Sequence, residues 1–199
     1  MTKVAWGFTC SLDGFITGPD HDMSWLSAAE EIDGGDTEQL ARAVGAILSG
    51  RRGYDAALAQ ASERDELTSE AYGGAWSGIE FVLTHRPEEL ADDPRVIAPG
   101  TDGPGIVPLN CDIREAIRRG KDAAAGKDLQ IISADLARQA LAHDLVDELQ
   151  VFVAPVFLGD GTRIFDVPGG LRYDWELVGP IAGAQRSIGR TYRPTHRSA

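Results

Sequence analysis

Apolar positions along the chain fall into short clusters whose spacing switches repeatedly between strand and helix periods. Val4 to Cys10 is a compact apolar and aromatic stretch, which predicts a first buried strand. Asp13-Gly14 and Gly18-Pro19-Asp20 are turn signals on either side of the small apolar pair Phe15-Ile16. From Asp36, the residues Leu40, Val44 and Ile47 recur at helical spacing. That pattern runs into Ala46-Ile47-Leu48, a second strand ended by Ser49-Gly50. Another helix is predicted near Arg51, with Tyr54, Ala57 and Leu58 on one face. Residues 60–78 are polar and glycine-bearing, a surface excursion before the strand Glu80-Phe81-Val82-Leu83-Thr84.

Between residues 86 and 110 Pro, Gly and Asp are frequent, and Arg95-Val96-Ile97-Ala98 is the short apolar piece. Asp112 is placed to cap a helix that carries Ile113, Ala116 and Ile117 and continues to Ala125. Leu129 to Ile132 predicts a strand, Asp135 to Ala142 a helix, and Leu149 to Val156 another buried strand. Trp175 to Val178 and Gln185 to Tyr192 alternate like strands, with no helix between them. Strands alternating with helices predict an α/β fold of three layers, with a mostly parallel central sheet and an antiparallel C-terminal edge. No repeat, low-complexity tract or linker interrupts the pattern, so one domain over residues 1–199 is expected. In such a sheet, ligands gather at the carboxyl ends of the strands.

Composition narrows the function classes. Acidic residues outnumber basic ones by 31 to 19, and the formal charge of -12 argues against broad contact with nucleic acid or an anionic membrane. An anionic small molecule stays open, because a few local arginines outweigh a global field at short range. The two cysteines, Cys10 and Cys111, form neither a disulfide framework nor a zinc-binding spacing, so reduced thiols and a cytoplasmic location are expected, with no metal. No run of about 18 apolar residues predicts a membrane span.

Candidate chemistry sits just after the predicted strands. Thr9-Cys10-Ser11-Leu12-Asp13-Gly14-Phe15-Ile16 reads as a plain turn, or as a small polar segment able to receive a flat ring. Gly50-Arg51-Arg52-Gly53-Tyr54 joins a glycine, a helix start and two arginines, a combination suited to phosphate and equally consistent with a solvated basic turn. Thr84-His85-Arg86-Pro87 adds a hydroxyl and two more basic side chains. If these two loops are neighbours, they form a pocket for a phosphate monoester such as the 2′-phosphate of NADPH. Gly159-Asp160-Gly161 predicts a tight turn in which Asp160 bonds nearby backbone N–H groups.

Taken together these motifs resemble the dihydrofolate reductase-like superfamily, and within it the riboflavin-biosynthesis reductase family (the RibD C-terminal domain). The most specific part is Leu145-Val146-Asp147-Glu148-Leu149 leading into Ala154-Pro155-Val156-Phe157-Leu158-Gly159-Asp160-Gly161, and the resemblance extends to the strand Gly189 to Pro194. It implies a soluble NADPH-dependent reductase that acts on a small molecule, often as a homodimer. By the same resemblance, Gly50, Arg51 and Arg52 hold cofactor phosphate, with Ser133 and Ala134 beside the pyrophosphate. Thr84, His85 and Arg86 line the adenosine end, and Thr9 and Ile16 border the nicotinamide. Asp13 and Trp25 face the substrate, and Glu30 stands where folate reductases place an acidic anchor. Asp13 and Glu30 are thus the candidate proton donors, with an ordered water as the alternative.

Two departures from the family pattern bear on function. Ile131-Ile132-Ser133-Ala134-Asp135 stands where the family places a glycine pair, which lets a pyrophosphate approach backbone N–H groups. Gly53 stands where threonine is common. They leave a second reading open, a ligand-binding or regulatory protein that kept the fold and lost the reductase.

Overall fold

The structure, a computed structural model, describes residues 1–28, 34–63, 71–101, 103–183 and 187–195. β1 (Val4–Cys10) turns back into the short β2 (Phe15–Thr17). Helix α1 (Gly34–Ala43) leads without a loop into β3 (Val44–Gly50), and α2 (Arg51–Glu63) starts at the next residue. β4 (Ile79–Leu83), β5 (Gly105–Leu109), α3 (Ile113–Ala123), β6 (Asp128–Ile131), α4 (Ala134–Leu141) and β7 (Glu148–Val153) follow. A two-residue β8 (Thr162–Arg163) precedes β9 (Trp175–Pro180) and β10 (Ile188–Pro194).

Among the described residues, eight strands form one sheet in the order β5-β4-β3-β6-β1-β7-β10-β9. The pairs from β5 to β7 are parallel, whereas β10 runs antiparallel to both β7 and β9. The mixed sheet with an antiparallel C-terminal edge is therefore the one the sequence pattern predicts. β2 and β8 pair separately as a small antiparallel ribbon.

Alternation along the strands explains the layers. Val4 and Trp6 of β1, Ala46 and Leu48 of β3, Phe81 of β4 and Leu129 and Ile131 of β6 are buried with Ile113, Ala116 and Ile117 of α3 and Leu136 and Ala140 of α4. Residues one position out of phase face the other side, where Val82 and Ile106 pack against Tyr54 of α2. Two apolar faces on one sheet need cover on both, and the helices supply it.

Some boundaries differ from the sequence expectation. The helical pattern through Leu40, Val44 and Ile47 breaks at Ala43, because Val44 already belongs to β3, where both faces are buried. The short apolar piece Arg95 to Ala98 lies beside the sheet. Val96 makes one bridge to Ile106, and the strand is Gly105–Leu109, which the sequence reading passed over. Asp112 caps α3 as expected, accepting from the Glu115 N–H at 2.9 Å. No helix among the described residues is long and apolar enough to cross a membrane.

Candidate active site at the strand ends

Because β1, β3, β4, β6 and β7 are parallel, their carboxyl ends share one edge. The register places Gly50 opposite Leu83 and Leu48 opposite Ile131, so the loops after β3, β4 and β6 lie side by side. The condition set for a shared phosphate pocket, that the two arginine-bearing loops be neighbours, is met.

Arg51 is the first residue of α2 and is about one-quarter exposed. Its Nε donates to both oxygens of Asp55, one turn along, at 2.8 and 2.9 Å. Its NH1 lies 3.0 Å from Glu89 Oε2, buried and without an aligned hydrogen bond among the described residues. Arg86 reaches the other oxygen of the same carboxylate, Glu89 Oε1, at 2.7 Å. Glu89 thus stands between the two arginines. Arg52 and His85 are exposed beside them, and Thr84 is buried. The Thr84 hydroxyl accepts from the Arg86 N–H at 3.1 Å and fixes the turn.

Next to this pair, Ser133 precedes α4 and accepts from the Leu136 N–H at 3.4 Å, a helix cap. A Cβ at Gly50 would lie 2.8 Å from the Ser133 Oγ, so Gly50 is what allows the two loops to approach. Ala134 is half-buried at the first turn of α4, and Ile132 is 44% exposed. Ser133 therefore satisfies one N–H of its own helix, and the Ile132 side chain stands out at the strand end.

The other half of the edge is built around Asp13. Its carboxylate accepts from the Ser11 hydroxyl at 2.5 Å, from Leu158 N–H at 3.2 Å and from Gly159 N–H at 2.7 Å. The Ser11 hydroxyl leads these donors in holding Asp13 down at about 2. A carboxylate so held has no proton to give at neutral pH. Thr9 lies on β1 opposite Phe152, and Ile16 is half-buried on β2. Gly161 closes the ribbon at φ +130°, where a Cβ would fall 1.9 Å from the Thr17 carbonyl oxygen. Asp160 accepts from the Gly161 N–H at 2.7 Å, as its turn predicts. Trp25 is buried with Ala154, Val156 and Leu158, and its indole N–H has no partner among the described residues. Glu30 lies outside the described residues.

Sequence reasoning missed Glu89, Asp55 and the cluster below them. There the Tyr54 hydroxyl donates to Asp93, Arg95 NH2 donates to the same carboxylate at 2.7 Å, and Arg95 lies over the Tyr54 ring. Burial pushes the Tyr54 hydroxyl up to about 12, and Asp93 reinforces the shift. The i to i+4 spacing of Arg51 and Asp55 was legible, but the approach of Glu89 depends on which strands are neighbours.

The sequence model of the RibD C-terminal domain matches residues 2–183. The chain belongs to the RibD C-terminal domain family. Solved structures agree on the fold of this RibD C-terminal domain. A protein assigned to riboflavin biosynthesis in Shewanella sp. PV-4 superposes with a TM-score of 0.67 at 19% identity, over 98% of this chain and 100% of that one. The riboflavin biosynthesis reductase of Saccharomyces cerevisiae gives 0.58 at 14%, over 98% and 90%. Dihydrofolate reductase from Enterococcus faecalis, solved with NADP(H), gives 0.52 at 11%, over 98% and 97%. At such identities the likeness speaks for a dihydrofolate reductase-like fold. No curated protein sequence matches the chain at a significant level.

Proposed function

We propose that this RibD C-terminal domain is an NADPH-dependent reductase, transferring a hydride to a small heterocyclic or carbonyl compound of the pterin or riboflavin-precursor kind. The observation that carries this reading is the convergence of Arg51 and Arg86, from the loops after β3 and β4, on one carboxylate at the carboxyl edge of the sheet. Two guanidinium groups that already share an anion suit a phosphate monoester.

The residues fit a dinucleotide. Gly50 brings the starts of two helices together at the strand ends, and the Arg51 NH1 is a buried donor without an aligned acceptor among the described residues. Arg51, Arg86 and the exposed Arg52 would hold phosphate, with Thr84 and His85 beside the adenosine. Gly50, Ser133 and Ala134 would border the pyrophosphate, and Thr9 and Ile16 the nicotinamide. When bound, the dinucleotide supplies the hydride. The chain's own task is to orient the ring over β1, exclude water and deliver a proton. Asp13 serves by fixing the loop rather than by donating a proton, which leaves Glu30 or a water as the source. The Trp25 N–H, without a partner among the described residues, would donate to a substrate acceptor. The exposed Leu177, Val178 and Ile188 on β9 and β10 support a homodimer built on that edge.

The second reading, a ligand-binding or regulatory protein, is favoured by Ile132 and Ser133 occupying the place of the family's glycine pair. Titration of the folded protein with NADPH and NADH, followed by tryptophan fluorescence or calorimetry, separates the two. Saturable binding that favours NADPH supports the reductase. No binding of either dinucleotide transfers the case to the second reading.

A further inference from the structure

We propose that Glu89 is a cofactor-selectivity residue, an internal anion held between Arg51 and Arg86 that narrows the preference for NADPH over NADH. The inference rests on the dinucleotide reading above and assigns a task to a residue that reading does not use.

Glu89 engages the two arginines with separate oxygens, at 3.0 and 2.7 Å, as two oxygens of a phosphate monoester would. Asp55 holds the opposite side of the Arg51 guanidinium. Arg51 and Arg86 carry two positive charges, and Asp55 and Glu89 carry two negative ones. The quartet is therefore neutral before any ligand arrives. A phosphate monoester brings between one and two further negative charges. The exposed Arg52 adds one positive charge beside the quartet, and a phosphate monoester binds best where a carboxylate withdraws as well.

Asp55 is the less displaceable of the two, because both its oxygens accept from Arg51 within one helix turn. Glu89 is freer. It belongs to the short helical turn Pro87–Leu90, and its side chain is 37% exposed. It also lines an open groove of about 470 Å³ between α2 and the loop before β5, into which the side chain can swing without repacking the core. Its contact with Arg51 NH1 is an ion pair without an aligned hydrogen bond, and its other partner, Arg86, is largely exposed, so solvent screens what the swing gives up.

NADH presents a 2′-hydroxyl at the corresponding position. A carboxylate accepts a hydrogen bond from such a hydroxyl, and a glutamate in place favours the unphosphorylated ribose. One side chain thus works in opposite senses on the two cofactors. It must leave for NADPH and stays to receive NADH.

The test is calorimetric titration of wild type, Glu89→Gln and Glu89→Ala with NADPH and NADH, together with thermal-shift titration by 2′-AMP and 5′-AMP. Circular dichroism checks that each variant is folded. The affinity ratio of NADPH to NADH should rise by about tenfold or more in both variants, and 2′-AMP should stabilise them more than it stabilises wild type. If both dinucleotides bind and the ratio moves by less than that, Glu89 does not set selectivity and the dinucleotide reading survives. If wild type and variants bind neither dinucleotide, the cofactor reading and the role of Glu89 fall together.

Discussion

Asp13 accepts from a hydroxyl on its own turn and from two backbone N–H groups on the turn beyond β7, so its charge ties together loops far apart in sequence. Its lowered pKa makes this tie pH-dependent in a definite sense. The contribution is complete above the ordinary aspartate range and is lost as the pH falls through about 2. Asp13→Asn should therefore lower the melting temperature at neutral pH. The gap to wild type should shrink in scans taken below about pH 4, and a gap that is constant with pH would contradict the role. Arg51 makes a different kind of prediction. Arg51→Ala should raise the Michaelis constant for NADPH by about tenfold or more and that for NADH much less. Equal changes in steady-state kinetics would remove Arg51 from the phosphate pocket. At this scale, residue type and local spacing marked Gly50, Arg51 and Arg86 as candidates, and the family resemblance added Ser133. They could not reveal that Ser133 spends its hydroxyl on a helix cap, or that Glu89 reaches across from the next loop.

Elements show where pattern reading holds and where it gives way. Strands β1, β3, β4, β6 and β7 were legible because burial on both faces makes them continuous apolar runs. β5 was not, since Pro108 interrupts Gly105–Leu109 and argues against an interior strand. Its position at the end of the sheet order resolves the conflict, as an edge strand tolerates a residue that donates no ladder hydrogen bond. The end of α1 was misplaced for the opposite reason: Val44 and Ile47 continue a helical spacing while already serving β3. The junction of β3 with α4 offers a quantitative test. Gly50→Ala forces its new Cβ against the Ser133 hydroxyl, at a cost of about 1 kcal/mol or more. Ser133→Gly loses a cap for only a few tenths of a kcal/mol. Removing the hydroxyl also makes room for the methyl, so the double variant should be more stable than the sum of the two changes implies. Denaturant titration of the four proteins measures this coupling, and strict additivity would show that the two loops do not touch.

At the scale of the whole molecule, the sheet divides its labours between two edges. The carboxyl edge carries the arginines, the Asp13 tie and the buried Trp25. The other edge carries the most specific run of the sequence, Leu145-Val146-Asp147-Glu148-Leu149, in a purely architectural part. There Asp147 accepts from the Val4 N–H at 2.8 Å, and Lys3 pairs with both Glu148 and Asp128. Strand order was the part of the fold least open to sequence reasoning, because nothing local to β1 says that it inserts between β6 and β7. Asp147→Ala should lower stability by about 1.5–3 kcal/mol, the usual loss for a hydrogen bond to a charged group. In stopped-flow experiments this loss should appear mainly as faster unfolding, since contacts of long sequence separation form late. Slower folding with unchanged unfolding would instead place β1 in the folding nucleus.

The insertion of β1 also sets an order in time. Its sheet partners lie more than 120 residues downstream, so during synthesis β1 leaves the ribosome long before either of them exists. At typical elongation rates it waits on the order of ten seconds. For that interval Val4 to Cys10 is an apolar strand with both edges bare, open to chaperones and to other nascent chains. Yield in the cell is then governed by how quickly β6 and β7 are made, and slow translation between residues 10 and 150 should enlarge the insoluble fraction.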